Sequence, residues 1–180
     1  MMVEPFWVQV NESEPTLRQG DYLPGCLVPI PVFDPTIFGK NSEIQDVQIE
    51  LNELDLIVLT QSCDLDNKKV AQVVLCAIYH ISDFEENNEA FKKKGKWNEV
   101  LRGRIEGLHL LASPTNPANN KESLVVDFRD IQTLPYEYVL KHASNLKDRW
   151  RLKSPYLEHF SQAFARLFMR VGLPSTIEPF

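Results

Sequence analysis

Leu54 to Ile81, LDLIVLTQSCDLDNKKVAQVVLCAIYHI, decides how this chain folds. Two runs dominated by Val, Ile, Leu and Ala, Leu54 to Thr60 and Val70 to Ile81, flank the polar loop TQSCDLDN. Apolar runs without polar alternation predict strands buried on both faces, so both belong at the centre of a sheet or barrel. The loop between them, Thr60 to Asn67, breaks off an apolar strand in small polar residues, a thiol and a carboxylate. A reactive site is expected there.

Upstream, Phe6 to Val10 and Tyr22 to Phe33 read as extended segments. Pro24, Pro29 and Pro31 have no N–H for a ladder, which predicts that these are outer strands. A loop from Asp34 to Glu43 leads to Val47 to Leu51, and Asn52 with Glu53 predicts a short turn into Leu54. Downstream, residues 83–104 read as a helical insertion broken at Gly95, with acids toward its start and bases toward its end, as the helix dipole favours. Leu108 to Ala112 and Ser123 to Phe128 predict a strand pair around a loop rich in Pro, Asn and Ser. Asp130 to Leu140 fits either a strand or a short helix, and Arg149 to Leu152 a last strand.

The helix at 155–171 is signalled at both ends, by Ser154 as N-cap, Pro155 at the first helical position, Gly172 after the end and Pro174 beyond it. Its arc of Tyr156, Leu157, Phe160, Ala163, Phe164, Leu167, Phe168 and Val171 predicts packing on the sheet. At 100° per residue, His159, Gln162, Arg166 and Arg170 fall within about 80° on the opposite side, facing solvent or a site.

The chain of 180 residues suits one domain able to bury roughly two thirds of its unfolded surface. Cys26, Cys63 and Cys76 form no CxxC and no even set, which points to a reducing compartment, the cytoplasm. MMVEPFWVQVNE lacks the basic and apolar regions of a secretory leader, and no run approaches the ~20 apolar residues of a membrane helix, so no membrane contact is expected. The net charge is −6, which disfavours indiscriminate nucleic-acid binding by the whole surface. It is unevenly placed: residues 1–55 hold ten acids against Arg18 and Lys40, while residues 141–180 hold seven Lys or Arg against three acids. Either an acidic face and a basic cleft follow from this, or an ordinary solvated surface.

TLRQGDYLPGCLVPI, LDLIVLTQSCD, VAQVVLCAIYHI and SLVVDFRDIQTLP, followed by an amphipathic helix ending in VGL, together resemble the PemK/MazF-like toxins. Gly20 and Asp21 match that family's early GD turn, and Thr60, Gln61 and Ser62 fall where its small polar residue follows the core strand. A second likeness is to bacterial proteins with a TQSCDL-like run. The resemblance implies a mixed α/β, β-rich domain: a partly open SH3-like β-barrel with an inserted helical segment and a C-terminal amphipathic helix. It also implies a homodimer, an antitoxin as protein partner, and metal-independent cleavage of single-stranded RNA. The family's Arg-Pro before the core strand is replaced here by Glu53, Leu54, Asp55 and Leu56, so the usual catalytic cation is absent. Arg129, Arg166 or Arg170 are the substitutes within the sequence.

RNA cleavage by an internal 2′-hydroxyl needs a base, an acid and a cation for the charged phosphorane. Asp64, His159 and Arg166 match those roles, with Gln61 and Ser62 beside them. Against this, Asp64 equally suits an Asx turn or helix cap, and His159 a surface position. Cys63 as a nucleophile needs a partner such as His80, His109 or His159, and otherwise reads as a small hydrophobe. Cys76 is core. A zinc site on Cys63 and Asp64 matches no standard spacing, so neither metal nor cofactor is expected. The competing class is a non-catalytic barrel that binds a protein partner, for which Trp97, among Lys94, Lys96 and Arg102, is a candidate anchor for a peptide or a base.

Overall fold

The structure, a computed structural model, describes residues 6–11, 14–32 and 48–169. In chain order the elements are β1 (Trp7–Val10), β2 (Asp21–Val32), β3 (Gln48–Val58), α1 (Ser62–Asp66), β4 (Gln72–His80), α2 (Ile81–Asn87), α3 (Lys96–Leu101), β5 (Leu108–Leu111), β6 (Leu124–Pro135), α4 (Tyr136–Asn145), β7 (Arg149–Leu152) and α5 (Tyr156–Phe168). The fold is mixed α/β and rich in β. All seven strands join one antiparallel sheet in the order β1-β7-β2-β3-β4-β6-β5. Among the described residues no ladder closes β1 onto β5, so the sheet is open. One side chain spans the gap: the Trp7 indole donates to the carbonyl of Ala112, just past β5, at 2.7 Å.

Because β3 and β4 are apolar on both sides, the sheet carries a core on each face. Leu56, Val58, Leu75 and Ala77 pack with Val139 and Ala143 of α4 and with Leu65 of α1. Ile57, Cys76 and Ile78 turn the other way and meet Phe160 of α5. The expected arc of α5 is therefore seated through Tyr156, Leu157, Ala163, Phe164 and Leu167, whereas Phe168 is exposed, its ring T-shaped to that of Phe164. Helix α5 starts one residue later than expected: Pro155 holds the N-cap position, and no side chain, Ser154 included, caps it. Arg170, Val171, Gly172 and Pro174 lie outside the described residues.

Two strand expectations need correction, and one left open is settled. β2 is not an outer strand but lies third, between β7 and β3. Its prolines are tolerated because β7 pairs only with Asp21 and Tyr22, leaving residues 24–32 without a ladder on that side. Asn52 and Glu53 form no turn; they pair with Val28 and Leu27 inside the continuous strand β3. In that ribbon both are exposed to water, so polar side chains cost little. Residues 130–140 are strand and helix in succession, switching at Pro135 and Tyr136. The helical insertion does lie between β4 and β5, broken at Gly95, whose φ of +88° opens α3. Among the described residues no helix is long and apolar enough to cross a membrane.

Part of the uneven charge along the chain pairs inside the fold. Asp21, fully buried at the start of β2, accepts from Arg151 Nε at 2.5 Å and lies 3.7 Å from Arg149, both on β7. Arg151 also reaches Glu14 at 2.7 Å, and Arg149 Nη2 donates to the carbonyl of Glu14. Burial pushes the Asp21 carboxyl up, and the hydrogen bonds and charge of Arg151 pull against that. Acids of the N-terminal third thus meet bases of the C-terminal third.

Gly20 sits where these elements converge. Its N–H donates to Val58 and its carbonyl accepts from Leu152. Its φ is +82°, and an added Cβ would lie 2.9 Å from Leu157 Cδ1 and 3.1 Å from Leu152 Cβ. Gly20→Ala combines a left-handed backbone with a clash between β7 and α5 and should cost about 2 kcal/mol. A urea titration checks this; a loss under about 0.5 kcal/mol would mean that the junction is looser than these distances indicate.

Candidate functional site

The short edge strand β5, LHLL, presents alternate residues to its two sides. Leu108 belongs to the cluster with Phe84 and Val100, on the side of the helical insertion. His109 points the other way, with its ring 6.0 Å from that of Phe128 on β6 and 6.1 Å from that of Phe160 on α5. Helix α5 crosses this end of the sheet and carries His159, Gln162 and Arg166 on its exposed side. They meet His109 in a cleft of about 300 Å³, whose far wall is the end of α3 and the following turn, including Arg102 and Glu106.

The electrostatics of the cleft follow from this placement. Burial first, and the nearby charge of His159 second, together push the His109 imidazole down to about 4. His109 is therefore neutral at neutral pH, with a ring nitrogen able to accept a proton. His159 is exposed and rests edge-on against Tyr156 at 6.4 Å between centroids. Arg166, also exposed, supplies a cation from the next turns of the same helix. The cleft thus holds a neutral imidazole, a second imidazole and a guanidinium within one small volume, a set capable of proton transfer beside an anion.

The expected site residues divide between two places. His159 and Arg166 line the cleft. Gln61, Ser62, Cys63 and Asp64 do not; they lie at α1, in the connection between β3 and β4. Gln61 precedes the helix without capping it. Ser62 Oγ accepts from the backbone N–H of Gln19 at 3.1 Å, tying the loop to the segment before β2. Cys63 is an exposed free thiol with Sγ 3.7 Å from Gln61 Oε1 and 3.9 Å from Asp64 Oδ1, so the groups it touches are an amide and a carboxylate rather than a histidine. Asp64 stands in the first turn of α1, where a carboxylate faces the positive end of the helix. Cys76 is buried, its thiol donating to the carbonyl of Asp127. Among the described residues no group of three or more His, Cys, Asp or Glu converges as a metal site would require.

Sequence reasoning reached His109 only as a partner for Cys63. A lone histidine in a four-residue apolar strand carries no periodic signal. What gives it meaning is the crossing of β5 by α5, which brings His109 against Phe160, 51 positions away. Scanned against protein-family models the chain matches none, and no curated protein matches it.

Proposed function

We propose that the chain is a toxin-like or defence-linked bacterial protein of the cytoplasm that cleaves single-stranded RNA in the His109–His159 cleft. The observation that carries this reading is the convergence of two imidazoles and Arg166. Neutral His109 takes the proton from the 2′-hydroxyl, whose oxygen attacks the adjacent phosphorus. As the bond from phosphorus to the 5′-oxygen breaks, His159 serves as the acid and gives a proton to the leaving oxygen. Arg166 offsets the charge on the phosphorane. The products are a 2′,3′-cyclic phosphate and a 5′-hydroxyl, chemistry that these three side chains can supply without a metal. An SH3-like barrel, partly open, belongs to the same reading, supported by the Trp7–Ala112 bridge across the sheet's opening. The free thiols of Cys26, Cys63 and Cys76 support a reducing location.

The test is a pool of single-stranded RNA incubated with wild-type protein, with and without chelator, beside Arg166→Ala. Cleavage that resists chelator and falls on the order of 10²-fold in the variant is expected. An intact pool under every condition would sink the reading.

A second reading, a non-catalytic module that binds a protein such as an antitoxin or a second copy, is favoured by the ribbon of β2 and β3. Leu27, Pro29 and Pro31 stand opposite Glu53, Leu51 and Ile49 on one face, and all six are exposed. Leu51 is 66% exposed and Ile49 61%. Contiguous apolar surface of this kind marks interfaces. Ile49→Glu with Leu51→Glu should abolish concentration-dependent association in sedimentation. A wild-type mass that stays monomeric alone and with candidate partners would remove this reading.

A further inference from the structure

A second cavity, of about 830 Å³, adjoins the histidine cleft. Leu101 lines both, and the two follow one edge strand: Leu108 and His109 are among the residues lining the first, Leu110 and Leu111 among those lining the second. His109 and Leu111 point to the same side of β5, about 6.8 Å apart along the strand. The first cavity is charged. The second has an aromatic and aliphatic lining, with Phe6 and Trp97 beside Leu110 and Leu111, and a few polar groups, Ser82, Asn98 and Asn120 among them.

Trp97 is held rigidly. Its indole N–H donates to Glu85 Oε1 at 2.7 Å, and its ring meets Phe84 edge-on at 5.8 Å and Phe91 at 5.0 Å. Phe6 is likewise braced, stacked on Tyr156 at 3.8 Å with 12° between the planes. Braced aromatic rings give a planar ligand a surface that costs little to order.

We infer that this second cavity is a nucleobase subsite: the base beside the phosphate held by His109, His159 and Arg166 enters it and packs on Trp97. The inference rests on the RNA-cleavage reading for the identity of its occupant. Continuity through Leu101 places the two sites side by side, as neighbouring parts of one nucleotide strand require. Lys121 on the rim of the second cavity and Arg102 on that of the first suit a backbone of phosphates. Stacking on an aromatic ring tolerates every base, and the Asn and Ser groups are placed to prefer among them.

The test is fluorescence anisotropy of a 2′-O-methyl oligonucleotide, which cannot be cleaved, against wild type, Trp97→Ala and Leu101→Glu, together with the RNA cleavage assay. Leu101 is 72% exposed, so its replacement does not endanger the fold while it places a negative charge between the cavities. Both variants should bind about 5- to 100-fold more weakly. An oligonucleotide carrying one abasic position should lose affinity for wild type and become insensitive to Trp97→Ala. Cleavage by wild type with affinity unchanged in both variants would overturn the subsite and leave the RNase reading standing. Tight, Trp97-dependent binding without cleavage would support the subsite and overturn the RNase. No binding by wild type would overturn the subsite.

Discussion

Asp21→Ala should cost about 3–5 kcal/mol, a large share of the roughly 5–15 kcal/mol that stabilises a domain of this kind. The carboxylate is fully buried, and it is the charge that faces both Arg149, itself 4% exposed, and Arg151. Arg149 Nη1 has no hydrogen-bond partner and depends on the Asp21 charge 3.7 Å away. Without that charge, two guanidinium groups are left inside the junction of β2 and β7, where Arg151 keeps the Glu14 carboxylate, at the edge, and the neutral Thr16 carbonyl. The cost is that of the charges left behind rather than the worth of the pair. Hence a variant that also converts Arg149 and Arg151 to Met should recover part of the loss, since an apolar cluster of similar volume needs no counter-charge. Urea unfolding of the single and triple variants measures both. A loss under about 1 kcal/mol for Asp21→Ala would mean that water reaches the cluster. The Gly20–Asp21 pair is thus internal scaffolding: Gly20 admits the approach of β7 and α5, and Asp21 neutralises what β7 brings.

What the sequence makes legible, and what it hides, divides by the range of the interactions. β4 reads correctly because burial on both faces leaves no polar residue in Val73 to Ile78. The helical segments between β4 and β5 are legible because Gly95, which opens α3, is a local signal; the expected charge ordering is not seen, since neither α2 nor α3 has a base in its last turn. β3 misreads at Asn52 and Glu53 because a two-stranded ribbon in water tolerates residues that otherwise mark turns. β2 misreads because the sequence does not say how many of its residues β7 would pair. The site is split for the same reason. The stripe of His159, Gln162 and Arg166 is a helical periodicity and was visible; the partner it finds, His109, comes from a strand crossing. The polar loop at Gln61 to Asp64 stood out by composition, and the structure places it at α1, outside the cleft.

His109→Gln separates a catalytic histidine from a packed one, because the two roles move different readouts. In the folded protein His109 titrates near 4, against 6.5 for a free imidazole. Between those values the unfolded chain binds the proton and the folded chain does not, so stability falls as pH drops from 6.5 toward 4. A difference of this size corresponds to about 3 kcal/mol, fully present above pH 6.5. Carboxylates add their own dependence, but the difference between wild type and His109→Gln isolates the imidazole. The variant should show a slope smaller by that amount across the window, and His159→Gln, at an exposed position, a slope smaller by only part of it. Urea midpoints at half-unit intervals of pH give the measurement, and equal slopes in wild type and His109→Gln would show that the ring is open to water. Cleavage of RNA is the second readout. A general base contributes about 10²–10⁴-fold, so a folded His109→Gln should lose activity on that scale at pH 7, where the imidazole is neutral and its replacement carries no charge either. Wild-type activity should hold down to about pH 5 on the His109 side, since protonation of that ring sets in only near 4. A flattened stability slope with undiminished cleavage would make His109 a wall of the cleft and transfer the base to another group; loss of both makes it the residue on which the chemistry turns.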